Sequence, residues 1–173
     1  MSDILTTNVY FSVNITHNYS WSLMSKIPTY GQGLYKIYIH STKVEENITQ
    51  VFKATSKPST DTSNDGPGVI IPKINRVNLS VSVDGSILRQ NATIAGTEMT
   101  ISSKDAKNFL KDMFLATEKT YLYWDGFNEG YKQVVPNKIQ FTEYSNIKTT
   151  NSTPQKYAFT SVFTLGENIL AKN

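Results

Sequence analysis

The segment from Val77 to Gly85 constrains the fold most strongly, because apolar and polar residues alternate along it without a break. Valine or leucine occupies every second position, and the positions between them carry the short polar side chains of Asn78, Ser80, Ser82 and Asp84. A period of two places the two sets on opposite faces of a β-strand. The segment therefore predicts a strand with one buried face and one face of short, mostly uncharged side chains, followed by a turn at Asp84-Gly85.

The composition favours a mainly β domain. Charged residues make up 18% of the 173 residues, against roughly 25% in typical soluble domains. β-Branched and aromatic residues, which suit pleated surfaces, are plentiful. The length fits a single domain spanning residues 1–173.

Several functional classes find no support in the sequence. The chain has no cysteine, which excludes disulfides, thiolate nucleophiles and cysteine-ligated metals. The net charge of +3 comes without the basic run expected of a nucleic-acid-binding protein. Neither a signal peptide nor a membrane span is predicted, so we expect synthesis in a cytoplasm.

Alternating patterns elsewhere predict further strands and one helix. A helix is predicted at about 103–117, where Ser102 or Ser103 can cap it and apolar residues recur every three or four positions. The predicted fold is two packed antiparallel sheets, forming a β-sandwich or partial barrel with this one flanking helix. The other predicted strands lie at 9–15, 34–40, 48–54, 92–101, 120–124, 131–135, 138–144 and 156–165.

A long loop is predicted at about 41–72. Its centre, residues 56–68, reads SKPSTDTSNDGPG and contains no apolar residue. A loop of this length inside a compact domain is uncommon and is usually functional or disordered.

No catalytic or metal-binding motif accompanies the two histidines, His17 and His40. Asp125 and Glu129 flank a predicted hairpin turn, for which a turn role is simpler than acid–base catalysis. The sequence therefore predicts a protein that is not an enzyme and that uses no cofactor or metal. A hydrolase using Asp125 or Glu129 stays as a remote alternative.

The order of features from Pro72 to Leu170 resembles the tail tube proteins of tailed bacterial and archaeal viruses. The segments that carry this resemblance are IIPKINRVNLSVSVDGSIL, ATIAGTEMTISSKDAKNFLKDMFLA, TYLYWDGFNEGYKQVVPNKIQFTE and KYAFTSVFTLG. They correspond to a long strand, a second strand, an amphipathic helix, a hairpin with a further strand, and a closing strand. The inner-tube proteins of contractile injection systems and of type VI secretion share this fold.

The resemblance implies a structural protein of the virion tail, made in the host cytoplasm. Six subunits would form a ring, and stacked rings would form a hollow tube through which double-stranded DNA passes without sequence-specific binding. Tail sheath, tape measure and baseplate proteins are further partners of such a tube. Tube lumens in the family tend to be acidic, whereas this chain is slightly basic. Its lumen face is therefore either neutral or a site where the carboxylates are concentrated.

Two sets of residues are assigned to such a tube. The lumen-facing candidates are Asn78, Ser80, Ser82 and Asp84, because a short, weakly charged lining gives DNA few tight contacts. The predicted loop would reach from one ring into the next and become ordered there. The inter-ring candidates in this loop are Ser56, Lys57, Pro58, Asp61, Asn64, Asp65 and Pro67.

The main alternative is a β-sandwich binding module of a virion or cell surface, recognising a carbohydrate or a receptor. In that case Tyr121, Tyr123 and Trp124 would form an exposed aromatic platform.

Overall fold

The computed structural model describes residues 9–17, 30–56, 70–143 and 156–166, and only the backbone of 51–56 and 70–76. Within these ranges the chain forms a nine-stranded antiparallel sheet and a helix, α1 (Ser103–Leu115). The strands are β1 (Tyr10–Ile15), β2 (Gly33–Tyr38), β3 (His40–Ser56), β4 (Ile70–Leu88), β5 (Gln90–Ile94), β6 (Thr97–Ile101), β7 (Thr120–Tyr123), β8 (Tyr131–Glu143) and β9 (Lys156–Leu165). The mainly β prediction with a helix near 103–117 is confirmed.

All nine strands belong to one hydrogen-bonded sheet in the order β3-β4-β9-β8-β7-β1-β2-β5-β6. The predicted division into two sheets is not confirmed, and the sheet is not closed into a barrel. It is strongly curved, because the ring of Phe11 on β1 lies 5.1 Å from that of Phe163 on β9. Three strand spacings separate β1 from β9, which would be about 14 Å in a flat sheet.

The concave face of the curved sheet holds the core. Phe11, Phe159 and Phe163 are at most 1% exposed, and α1 contacts β4 and β9 on one side and β2 and β5 on the other. The helix begins at the predicted cap, where the Ser102 hydroxyl accepts a hydrogen bond from the Asp105 backbone N–H. Its buried residues include Phe109, Leu110 and Met113 of the predicted apolar stripe.

The predicted loop at 41–72 is mostly strand. Residues 41–56 belong to β3 and residues 70–72 to β4, and the two strands pair from His40–Ser86 to Ser56–Ile70. The strand predicted at 48–54 is the later part of β3. The earlier part was missed because an edge strand tolerates charged residues such as Lys43, Glu45 and Glu46, which blur the alternation. The predicted turn at Asp84-Gly85 is also wrong, since β4 continues through it to Leu88.

Residues 92–101, predicted as one strand, form most of the β5–β6 hairpin. Its two-residue turn is Ala95-Gly96, with φ of 50° and 81°. Alanine is unusual at positive φ, so the turn lacked the expected Asn-Gly or Asp-Gly signal.

Candidate functional site

The lumen-facing candidates share the outward, convex side of β4. Asn78, Ser80, Ser82 and Asp84 are half-buried, whereas Val81 and Val83 between them are completely buried on the core side. The alternation therefore assigned the two faces of this strand correctly. Whether the outward face lines a pore stays a prediction.

Neighbouring strands extend this outward face in rows, because directly paired residues of an antiparallel sheet project to the same side. We call these rows the polar face. Its members beside the four candidates are Lys43, Glu45, Asn47 and Thr49 on β3, Thr160, Val162 and Thr164 on β9, and Val135, Lys138 and Gln140 on β8. Short polar residues predominate, and Asn137 donates a hydrogen bond to the Thr164 hydroxyl over 2.7 Å.

The charges of the polar face balance. It carries two cations, Lys43 and Lys138, and two carboxylates, Glu45 and Asp84. Lys43 Nζ lies 2.7 Å from Glu45 Oε1, and this hydrogen bond raises the pKa of the lysine. The sequence left two possibilities for a lumen face, a neutral surface or a concentration of carboxylates. The polar face is a neutral surface.

The hairpin of β3 and β4 extends beyond the rest of the sheet. Strand β9 pairs with β4 only from Ser80 onward, whereas β3 and β4 continue to pair from Ile48–Leu79 to Ser56–Ile70. We call this two-stranded extension, residues 48–56 and 70–79, the ribbon. At about 3.3 Å per residue it is about 30 Å long.

One face of the ribbon continues the apolar side of β4. Ile48 is 68% exposed and pairs with Leu79, and Val77 follows on the same face. Leu79 packs at the edge of the core, and both Leu79 and Val77 are half-buried. Gln50, which pairs with Val77, adds an exposed polar side chain to this face. The inter-ring candidate Ser56 ends β3, and the other six candidates lie outside the described residues.

A second outward surface lies on β2, β1, β7 and the start of β8. Tyr38, Tyr10, Tyr123 and Tyr131 stand side by side on successive strands, with neighbouring ring centroids 5.2, 4.4 and 5.2 Å apart. Tyr121 joins them, 6.0 Å from Tyr131. We call these five residues the tyrosine row.

The predicted aromatic platform included only two members of the tyrosine row. Tyr121 and Tyr123 are in it, but Trp124 packs edge-on against the buried Phe127 at 5.1 Å. Sequence reasoning missed Tyr10, Tyr38 and Tyr131 because they meet only through strand pairing. The available signal was that each occupies a polar-side position in an alternating strand.

The other candidates form no catalytic arrangement among the described residues. His17 Nδ1 lies 3.3 Å from Glu118 Oε1 at the protein surface, while His40 lies in the edge strand. Asp125 and Glu129 are exposed in the β7–β8 loop. No group of three histidine or carboxylate side chains able to hold a metal occurs within the described ranges.

Comparison with protein families and with curated proteins found no match for this chain. No helix in the described part of the chain is long and apolar enough to cross a membrane.

Proposed function

We propose that this chain is a non-enzymatic structural subunit that assembles with copies of itself into stacked rings, forming the tail tube of a tailed virus or a related injection system. One observation carries this proposal: the ribbon extends beyond the rest of the sheet, and Ile48 on its apolar face is 68% exposed. The resemblance to tail tube proteins adds the expectation of six subunits in a ring and of a virion location.

The ribbon supports the assembly proposal because burying its apolar face in a contact between subunits would stabilise it. An isolated two-stranded hairpin is only marginally stable in water. Burying an aliphatic side chain such as Ile48 stabilises by about 1.5–3 kcal/mol. We propose that a second copy of this chain covers the apolar face. The ribbon of one subunit then packs against a different surface of the next subunit. Such heterologous contacts generate stacks and filaments.

The sheet edges support ring closure. Among the described strands, β3 and β6 each have one unpaired side, at opposite ends of the sheet. Unpaired edges are templates for pairing with another chain. In the proposed ring, the edge of one subunit pairs with that of its neighbour and extends the sheet around the axis.

The polar face supports the conduit role. Its side chains are mostly short and its two cations are matched by two carboxylates, so a sliding DNA duplex meets little net attraction or repulsion. We assign this face to the lumen. Sheath, tape measure and baseplate proteins are the partners expected at the outside and ends of the tube.

Negative-stain electron microscopy of the purified full-length protein tests this function. We expect rings or hollow filaments, and we expect Ile48→Glu to abolish stacking because it places a charge on the apolar face of the ribbon. The substitution should leave the circular dichroism spectrum unchanged, since Ile48 is largely exposed.

Thr49→Glu is the matched control, because Thr49 is the exposed neighbour on the opposite, polar face of the ribbon. We expect it to stack like the unaltered protein. A strictly monomeric protein at high concentration would refute the proposal. Equal loss of stacking in both variants would refute the role of the apolar face.

A further inference from the structure

The tyrosine row is an aromatic surface of the kind found in contacts between proteins. Tyrosine is enriched in protein–protein interfaces, because its ring buries a large area and its two torsions cost little entropy when they are fixed. Tyr131 is 44% exposed, and the other four members are half-buried. A contiguous aromatic patch on a protein surface marks a site of interaction.

The row is locally flat. Neighbouring ring centroids along it are 5.2, 4.4 and 5.2 Å apart, close to the strand spacing of about 4.8 Å, so the side chains stand parallel and do not splay. The planes of Tyr10 and Tyr123 differ by only 8°. A flat, ordered surface suits another protein better than a small molecule, which binds in a concave site.

The ring geometry also disfavours sugars and bases. Both ligands stack on open aromatic faces. The ring of Tyr123 is stacked between those of Tyr10 and Tyr131, so both of its faces are covered and its edge and hydroxyl face outward. A phenol hydroxyl both donates and accepts hydrogen bonds, so two tyrosine rows match one another chemically.

Charges of both signs border the row at diagonally opposite corners. Lys36 precedes Tyr38 by two residues on β2, and its Nζ lies 5.5 Å from the centroid of the Tyr10 ring. The exposed Asp125 and Glu129 lie in the β7–β8 loop, at the other end of the row and beyond its opposite side along the strands. The surface therefore has one positive corner and one negative corner.

A partner of uniform charge does not fit this surface. Glu98 on β6 is exposed and lies in line with Lys36 through Thr93, two strands beyond β2. Among the described residues of this surface, the cation thus stands beside the tyrosines, and three carboxylates lie at the rim. An acidic partner meets the carboxylates and a basic partner meets Lys36. The surface requires a partner that also carries both signs.

A second copy of this chain has the required pattern. Two rows can face each other across a two-fold axis that lies in the contact plane. With this axis along the diagonal between the charged corners, Lys36 of each copy meets the β7–β8 loop of the other. Such an isologous contact makes each favourable pair twice and closes at two copies. Opposite charges placed in this way fix the register of the contact.

We propose that the tyrosine row binds the tyrosine row of a second copy of this chain, in a two-fold pair held in register by Lys36 and Glu129. The row lies on β2, β1, β7 and the start of β8, whereas the ribbon belongs to β3 and β4 at one end of the sheet. The two contacts use separate surfaces, so this proposal does not rest on tube formation.

Sedimentation equilibrium of the full-length Ile48→Glu variant tests the proposal, because this variant lacks the apolar contact proposed for stacking and keeps the row intact. We expect a reversible monomer–dimer equilibrium. Adding Tyr131→Ala should raise the dissociation constant about tenfold or more, since it removes the most exposed ring of the row. Tyr30→Ala is the matched control, because Tyr30 is 43% exposed but packs against Phe109 of α1. We expect it to dimerise normally.

Exchange of the two charges distinguishes a contact between copies from an effect within one copy. In the same Ile48→Glu protein, Lys36→Glu and Glu129→Lys should each weaken self-association about threefold to tenfold, because like charges then meet twice in the pair. A mixture of these two variants should associate about as tightly as the protein with both native charges. In the mixed pair, each altered side chain meets its opposite charge.

Three outcomes would overturn the proposal. The first is a strictly monomeric Ile48→Glu protein at high concentration, and the second is undiminished dimerisation after Tyr131→Ala. The third is a mixture of the two charge variants that associates no more tightly than either variant alone. Dimers without rings or filaments would support this contact and count against the proposed function, whereas rings or filaments without dimers would do the reverse.

Discussion

At the residue scale, Glu118 connects the end of β1 to the segment that follows α1. Its carboxylate, only 10% exposed, accepts hydrogen bonds from the backbone N–H groups of Thr16 and His17, and it contacts the His17 ring. Burial alone would raise the pKa of Glu118, but these hydrogen bonds together outweigh burial and lower it. The ionised carboxylate is thus part of the folded structure.

We expect Glu118→Gln to lower the free energy of unfolding by about 1 kcal/mol at neutral pH. Because the pKa of Glu118 is lower in the folded state, its contribution is complete above the ordinary value of 4.5 and is lost as the pH falls through the folded value. Urea unfolding of both proteins across this range measures the effect. A difference between the two proteins that is independent of pH would contradict this role of the charge.

At the element scale, β4 combines three functions along 19 residues. One face contributes Val81 and Val83 to the core, the other contributes the polar face, and the N-terminal half continues into the ribbon. Gly85 allows the close approach of β3, since a Cβ atom there would lie 2.3 Å from the His40 carbonyl oxygen and 2.9 Å from the Ser41 Cα atom. The β3 bulge between Ser41 and Lys43 lies at the same point.

We expect Gly85→Ala to destabilise the protein by about 2–4 kcal/mol, because the atoms it meets are backbone and cannot rotate away. Ser82→Ala, on the outward face of the same strand, should change stability by less than about 0.5 kcal/mol. Thermal unfolding of the two variants compares them directly. Equal melting temperatures would show that β3 can move away at little cost.

At the scale of the whole molecule, the curvature of the sheet makes one core from strands that are distant in its order. Phe11 of β1 meets Phe114 of α1 at 5.1 Å, Phe159 at 5.9 Å and Phe163 at 5.1 Å. The core therefore joins both halves of the sheet to the helix. The polar face and the tyrosine row lie outside it, on different halves of the same convex surface.

We expect Phe11→Ala to cost about 3–5 kcal/mol of stability, because the ring is fully buried among these aromatic groups. Val135→Ala, at a position 49% exposed on the convex side, should cost less than about 1 kcal/mol. Urea unfolding gives both values. A small loss for Phe11→Ala would mean that the two halves of the sheet are held together mainly by other contacts.

The sequence predicted the features that depend on residues close together along the chain. It missed the features that depend on pairing between strands far apart in the chain. Alternation identified the two faces of β4, and the three-to-four-residue period identified α1. The partners of β4 were hidden, because β3 carries the charges of an edge strand and β9 lies about 80 residues away along the chain. The tyrosine row was hidden for the same reason.

The ribbon also has a consequence for growth. The ribbon leaves the sheet in one direction only. A stack of subunits joined through it therefore has two chemically different ends, one with projecting ribbons and one with uncovered surfaces that would bind a ribbon. Such a filament is polar, and its two ends need not elongate at equal rates. A protein that terminates the filament must resemble either the ribbon or the surface that binds the ribbon. Which of the two it resembles determines the end of the filament that it caps.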